Sequence, residues 1–369
     1  MKRAVKNRKA PAFFSAIWTK STDKGCHLRQ DDGKVVVKIY FYEAKGECNF
    51  MEKQTLTMDQ MVDGWLSSLV GQIKESSYVK YECLARVHIL PAVRGLRPED
   101  ITDEWSQQFI HSLLAGTSGR GKPLAPKTVR DIMSVFNLIF SWGIRRAERG
   151  GWHVPAKPHM VKVKTHVPRV QILTQKEQDT LETYLLKRQT PRDEGILLAL
   201  YTGIRVGELC ALQWKHISLT EGTLSVEQTL QRIPIVNATP GHARSKIIIT
   251  PPKSEDSIRM IPLPNRMIQM LHRCEPESPE AYFLTGQEAR YLEPRSMNLY
   301  LKRTAAKLNL PAVHFHILRH TFASRCIEKN FDIKALSEIL GHASVNITLN
   351  RYVHITLEEK RRNMRLLDA

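Results

Sequence analysis

Between Gly150 and Val170 the hydrophobic periodicity that runs through the preceding hundred residues stops. Pro155, Lys157, Pro158, Lys162, Lys164, Pro168 and Arg169 crowd this stretch, which offers no apolar face to bury and has prolines where a helix or central strand would need N–H donors. A chain of 369 residues interrupted in this way cannot close around one core. It reads as helical and mixed halves joined by an extended basic linker, residues 153–171, whose hinge lets the halves close around a partner.

The half before the linker, residues 53–152, has helical spacing throughout. Thr57 is placed to cap a helix carrying Met58, Met61, Val62, Trp65, Leu66 and Leu69. Ser76 or Ser77 opens a second helix, with Tyr78, Tyr81, Leu84, Val87 and His88, that Pro91 should stop. A third starts near Thr102, and a fourth, from about Lys127, carries Val129, Ile132, Val135, Phe136, Ile139, Phe140 and Ile144. These stripes are core; phosphate contacts would fall on the polar edges, at Lys74, Ser77, Lys80, Arg120, Lys122, Lys127 and Arg130.

Residues 1–52 form a basic N-terminal accessory region. Lys2, Arg3, Lys6, Arg8 and Lys9 make a phosphate-seeking arm. Phe13, Phe14, Ile17 and Trp18 suit a strand, and Asp31-Asp32-Gly33 is a turn signal ahead of the β-branched run Val35 to Tyr42.

Residues 172–369 begin with Thr174 and Glu177 in capping-box spacing. A buried helix from Gly195 to Tyr201 ends near Gly203, and a second spans Arg205 to Trp214. Residues 222–231, 246–250 and 257–263 alternate or are β-branched and predict a three-stranded sheet, with Pro251–Asp256 turning between the last two strands. Helices over 264–273, 294–308, 316–329 and 333–340 follow. Gly341 is positioned as a left-handed stop, and Ser344 as the cap of a short helix that exposes Tyr352 on its surface. Leu357 to Leu367 has the pattern of a terminal helix.

Charge narrows the partner. Lys and Arg number 55 against 37 Asp and Glu, a net charge of +18, and an excess of that size points to a polyanionic partner, with nucleic acid the leading candidate. The six cysteines show no CxxC spacing, so neither a zinc site nor a disulfide framework is expected, and a reducing cytoplasm is the default compartment. No apolar run is long enough to cross a bilayer, so no membrane partner is expected.

Six side chains in the third region suit attack on a phosphodiester: Arg205, Lys253, His316, Arg319, His342 and Tyr352. Two guanidiniums can hold both non-bridging oxygens in fork geometry and offset the charge that builds in the transition state. An imidazole can relay the phenolic proton, and an ammonium can supply one to the expelled oxygen. The phosphotyrosyl ester conserves the bond energy, so the chemistry calls for no ATP, cofactor or metal. A metal site drawn from His314, His316, His320 and His342 lacks a suitably spaced carboxylate or cysteine.

The motifs Thr202-Gly203-Ile204-Arg205-Val206-Gly207-Glu208-Leu209, His316-Ile317-Leu318-Arg319-His320-Thr321-Phe322-Ala323, Leu340-Gly341-His342-Ala343-Ser344 and Arg351-Tyr352 resemble the signature boxes of the tyrosine recombinases, the phage-integrase family. Pro252-Lys253-Ser254 with Ser257 to Leu263 is similar to that family's lysine-bearing β-hairpin. The likeness is greatest to integrases of conjugative transposons and temperate phages. It implies a mainly α fold with small antiparallel β elements: an all-α core-binding domain, then a mixed α/β catalytic domain, forming a C-shaped clamp on DNA.

In the roles it implies, Tyr352 is the nucleophile, Arg205 and Arg319 clamp the scissile phosphate, and Lys253 protonates the leaving 5′-oxygen. His316 transfers protons, His342 hydrogen-bonds the phosphate, and Glu208 orients Arg205. Implied partners are DNA recombination sites, further copies of the chain in a tetramer on DNA, and a DNA-bending accessory or excision factor; the expected location is the cytoplasmic nucleoid. Dimer-resolving recombinases, type IB topoisomerases and non-catalytic DNA-binding proteins on the same fold are the alternatives.

Overall fold

The computed structural model describes residues 26–31, 34–39, 56–117, 121–150, 154–158, 163, 170–235, 243–252, 257–352 and 364. Of the sequence-based expectations, those for Lys2 to Trp18, Arg120, Lys253 and a helix over Leu357 to Leu367 lie outside these residues, Met364 apart. The chain divides into two compact units, residues 1–54 and 55–369. In the first, β1 (Cys26–Asp31) pairs antiparallel with β2 (Lys34–Ile39), in register from Cys26↔Ile39 to Asp31↔Lys34.

The second unit is mostly helical with small antiparallel sheets. Its first layer comprises α1 (Met58–Leu69), α2 (Glu75–Leu84), α3 (Leu90–Val93), α4 (Asp103–Ala115) and α5 (Pro126–Gly150). Thr57 caps α1 in a full capping box with Gln60, and Thr102 caps α4 by accepting from the Trp105 N–H. Pro91 does not stop the second helix as the sequence predicts. A π-turn over Ala85–Ile89 separates α2 from α3, and Pro91 sits in the first turn of α3, where its missing N–H costs no hydrogen bond. Nor does Ser76 or Ser77 begin α2; it begins at Glu75.

The stripes predicted as core are core. Met58, Met61, Val62, Leu66, Ile132, Phe136, Ile139 and Phe140 are buried in one cluster, to which Val154 and Val163 from the linker stretch add apolar surface. Gly64 and Gly143 let α1 and α5 approach closely, because a Cβ on either would collide with Trp142 or Met61 respectively.

A separate core lies under α6 (Gln175–Arg188), α7 (Pro191–Thr202), α8 (Val206–Ala211), α9 (Asn265–Leu271), α10 (Pro294–Lys307) and α11 (Phe315–Glu328). Thr174 and Glu177 form the expected capping box on α6. Helix α7 is buried on nearly every side, from Ile196 to Leu200, as its unbroken apolar run requires. The expected Arg205–Trp214 helix ends at Ala211, and Trp214 instead opens a short 3₁₀ turn.

The three-stranded sheet is regrouped. β3 (Ile217–Ser218), β4 (Thr223–Val226) and β7 (Arg259–Pro262) make one sheet, while β5 (Thr229–Pro234) and β6 (Ser245–Thr250) form a separate hairpin. The run 222–231 is therefore two strands, broken between Val226 and Thr229, and Pro251–Asp256 joins different sheets rather than neighbouring strands. Last come α12 (Ile333–Leu340) and α13 (Val345–Tyr352).

The two helical layers touch where α2 begins. Lys74 Nζ donates to the Pro252 carbonyl at 2.7 Å, and Glu75 pairs with Lys246 of the β5–β6 hairpin at 2.7 Å. Because the cores are separate, Phe136→Ala should remove about 3–5 kcal/mol from the first layer. Hydrogen exchange should show lost protection in α1, α4 and α5 with α6 and α7 unaffected; uniform loss across both layers would contradict separate cores.

Candidate active site

The site is built on the C-terminal turn of α12. A helix end leaves carbonyls without intrahelical partners, and here every carbonyl of the last turn and its cap is accounted for. Gly341, at φ +60°, reverses the chain so that its N–H bonds the Glu338 carbonyl and the His342 N–H bonds that of Ser337. The next three carbonyls take guanidiniums from three different elements. Arg259 Nε on β7 donates to Ile339 O at 2.6 Å, Arg319 Nη2 on α11 to Leu340 O at 2.5 Å, and Arg205 Nη2 at the start of α8 to Gly341 O at 2.9 Å. The negative end of the helix dipole favours cations at this position.

Glu208 ties two of these arginines together. Its carboxylate accepts from Arg205 Nη1 at 2.6 Å and from Arg259 Nη2 at 2.8 Å, while the Arg205 backbone N–H closes a cap on the same carboxylate at 3.0 Å. Arg319 also donates to Gly203 O at 2.7 Å. Gly203 ends α7 at φ +64°, with Phe322 and Leu340 packed where a side chain would begin, so a larger residue would disturb the carbonyl that holds Arg319.

Burial sets the electrostatics. Glu208 is 3% exposed and Arg319 4%. For Glu208, burial raises the pKa, but the Arg259 charge and hydrogen bond, with help from Arg205, hold the carboxyl below its ordinary value. For Arg319, burial first and the Arg205 charge second push the guanidinium down to about 9, which leaves it protonated at neutral pH. Three guanidiniums face one carboxylate, so the cluster carries a net positive charge beside the turn leading into α13.

Beyond the turn, His342 Nδ1 lies 2.8 Å from the Thr348 hydroxyl, which is wholly buried on α13. The Ser344 hydroxyl accepts from the Asn346 N–H at the start of α13. Tyr352 is on the same face as Thr348, one turn later. It is 8% exposed rather than presented on the surface, and packs with Leu336, Leu340, Ala323 and Cys326. Its hydroxyl is 2.5 Å from His320 Nδ1. His316 and Arg319 do not share an environment as their spacing suggests: His316 is exposed, and Arg319 turns into the cluster. The His316 ring lies 6.4 Å from that of His320, at 26° to it.

The structure thus brings Arg205, Glu208, Arg319, His342 and Tyr352 around one turn, with His316 at its edge. Two residues of this cluster, Arg259 and His320, carry no role in the sequence reading. Both lie inside the quoted motifs without a part of their own there, because their partners are 51 and 32 residues away. Of the candidate DNA contacts, Lys122, Lys127 and Arg130 are exposed, Ser77 is half-buried, and Lys80 is ion-paired with Asp131 at 2.9 Å. Lys74 lines a cleft of about 310 Å³ with Arg205, Glu208, Thr250, Pro252 and Ser257. Among the described residues, no group of three His, Cys, Asp or Glu side chains is arranged to hold a metal, and no helix is long and apolar enough to cross a membrane.

Comparison with known proteins gives a consistent result. A family model described as the phage integrase family matches residues 170–359. A tyrosine recombinase XerC-like protein of Caldanaerobacter subterraneus subsp. tengcongensis is 24% identical over 371 residues, covering 90% of this chain and 91% of that protein. The integrase of Staphylococcus phage L54a is 32% identical over 165 residues, 42% of this chain and 45% of its own length. Among solved structures, the Tn1549 transposon integrase in complex with transposon right end DNA matches 85% of this chain and 100% of its own, with a TM-score of 0.68 at 20% identity. The lambda integrase tetramer bound to a Holliday junction matches 81% of this chain and 78% of its own, with a TM-score of 0.55 at 21% identity.

The pH dependence follows from Glu208. Its depressed pKa means that its stabilising contribution is complete above the ordinary value of 4.5 and drains away as pH falls through the lower folded value. Glu208→Gln leaves Arg259 buried without its counter-charge, so stability at neutral pH should drop by about 3–5 kcal/mol. Its melting temperature should also fall less steeply on acidification than that of the wild type. Equal acid slopes would remove the carboxylate from this account.

Proposed function

This chain belongs to the phage integrase family, the tyrosine recombinases, which are DNA strand-transferases, and on that premise we propose that it cuts and rejoins duplex DNA at a specific site through a 3′-phosphotyrosyl intermediate on Tyr352. The observation that carries the proposal is the meeting of Arg205, Arg319, His342 and Tyr352 at one helix end. The carbonyl bonds use only part of each guanidinium fork, and the remainder can grip the non-bridging oxygens of the scissile phosphate. Held in place beforehand, these cations stabilise the developing negative charge without reorganising.

In this reading Tyr352 attacks phosphorus, the bond to the 5′-oxygen breaks, and Lys253 supplies that oxygen with its proton. His342, oriented by Thr348, donates to the phosphate. His316, exposed beside the cluster, exchanges protons with the reacting groups. Glu208 fixes Arg205 and does not touch DNA. The helical layer, residues 53–152, acts as a core-binding domain and residues 172–369 as the catalytic domain, a division that the separate hydrophobic cores support. Lys74, Ser77, Lys80, Arg120, Lys122, Lys127 and Arg130 line the DNA path. Assembly is as a tetramer on DNA, a proposal that draws on the lambda integrase complex.

Integration and excision of a mobile element is the favoured role, supported by the basic N-terminal region and by the likeness to the Tn1549 transposon integrase. The near-full-length likeness to the XerC-like recombinase favours a second reading, resolution of chromosome or plasmid dimers by the same chemistry. Relaxation of a supercoiled plasmid lacking any target site would instead indicate a topoisomerase.

A nicked suicide substrate should trap wild-type protein on DNA, and Tyr352→Phe should bind the same substrate normally and form no adduct. An adduct with Tyr352→Phe, or a labelled peptide lacking residue 352, would overturn the assignment. Adduct formation should be indifferent to chelators. Affinity should fall steeply with salt as counterions return to the phosphates, and a flat dependence would count against a phosphate-dominated interface.

A further inference from the structure

The phenol of the proposed nucleophile is in contact with a side chain to which the reading above gives no part. Tyr352 Oη lies 2.5 Å from Nδ1 of His320, and the ring centroids are 5.6 Å apart with planes inclined at 56°. The imidazole thus meets the phenol through its nitrogen instead of lying flat on the ring. His320 immediately follows Arg319 on α11, so one helical turn supplies both a phosphate-clamping cation and the group on the nucleophile. It is half-buried, inward of the exposed His316, whose ring is 6.4 Å away. Tyr352 itself is held by the apolar packing of its ring against Leu336 and Leu340, so the contact is made by two groups that are both already fixed.

We infer that His320 is a catalytic residue whose Nδ1 takes the phenolic proton as Tyr352 attacks the scissile phosphate. The inference rests on the reading of Tyr352 as nucleophile and adds the destination of its proton. A phenol of ordinary pKa, about 10, is almost wholly protonated at neutral pH, and an imidazole of pKa about 6.5 is an acceptor matched to that range. The step requires the tautomer with hydrogen on Nε2, so that the phenol donates and Nδ1 accepts. The O–H bond then breaks toward Nδ1 while the Oη–P bond forms. The P–O5′ bond breaks, and the 5′-oxygen leaves with the proton from Lys253. In rejoining, the imidazolium returns its proton to Oη as the attacking 5′-hydroxyl gives its own proton to the lysine. Cleavage thus passes one proton from the protein to the 5′-hydroxyl and rejoining returns it, so the complete cycle restores the protein's starting protonation.

The test separates proton transfer from mere placement. His320→Asn sets an amide where Nδ1 stood and can still hydrogen-bond the phenol, but cannot accept its proton. With a nicked suicide substrate, His320→Asn should form the Tyr352 adduct about 10²-fold or more slowly than wild type. Its DNA affinity and melting temperature should be unchanged. His320→Gly should be equally slow, and imidazole added to it should restore adduct formation in proportion to the free base. A His320→Asn rate within about threefold of wild type would overturn the inference, leaving a residue that only positions the phenol; a faster rate would make the contact a restraint and overturn it equally. The underlying reading fails separately: wild type would then form no adduct at Tyr352, whatever the His320 variants do.

Discussion

Three guanidiniums on three successive carbonyls at the end of one short helix hold the C-terminal half of this protein in register. Ile339, Leu340 and Gly341 would otherwise present unpaired oxygens at the negative end of α12, in a region where Arg259, Arg319 and Leu340 are all buried. Arginine solves both problems together, because a planar fork can serve a carbonyl with one edge and a second acceptor with another. Arg259 reaches the Ser257 carbonyl and Glu208, Arg319 reaches Gly203, and Arg205 reaches Glu208. A β-strand, the end of α7, the start of α8 and the middle of α11 are thereby fixed to the turn from which His342 and the Tyr352 helix emerge.

Crowding three like charges together, two of them buried, is unfavourable, and Glu208 is what makes it tolerable. One carboxylate between two guanidiniums neutralises part of the repulsion and leaves a surplus of positive charge. Arg319 shows the tension most plainly, its pKa lowered by burial and by the neighbouring Arg205 charge. A diester anion entering the site would relieve that repulsion, so the feature that strains the unbound protein strengthens its hold on a phosphate. On the proposed function, cations held in this way would also favour the larger charge that grows during attack, which is the requirement for rate enhancement.

Local features were readable from the sequence; long-range ones were not. The caps at Thr57 and Thr174, the helix start near Thr102, the left-handed stop at Gly341 and the apolar stripes of α1 and α5 depend on residues within a turn or two, and all are as the sequence predicts. The sheets fail for the complementary reason. Nothing in the run from 222 to 231 shows that Leu224 pairs with Ile261 while Leu230 pairs with Ile249, since alternation gives a strand its faces but not its neighbours. Pro91 misled because proline arrests a helix only when a donor is needed at that point, and the π-turn shifts the chain so that none is.

The same distinction explains the site. Six residues could be singled out because a phosphoryl-transfer site needs cations, an imidazole and a nucleophile, and each sits in a short motif. Their support could not. Arg259 looks like an ordinary solvent-facing residue of a strand until β7 is placed beside α12, where its side chain is 5% exposed and fully engaged. His320 differs from His316 by one helical turn, and sequence spacing cannot say which of the two faces inward. Folding decides it: α13 packs its Thr348 and Tyr352 face against α11 and α12, and the phenol comes to rest on the inner imidazole. Residue types suggested the chemistry, whereas which imidazole meets the phenol depended on packing.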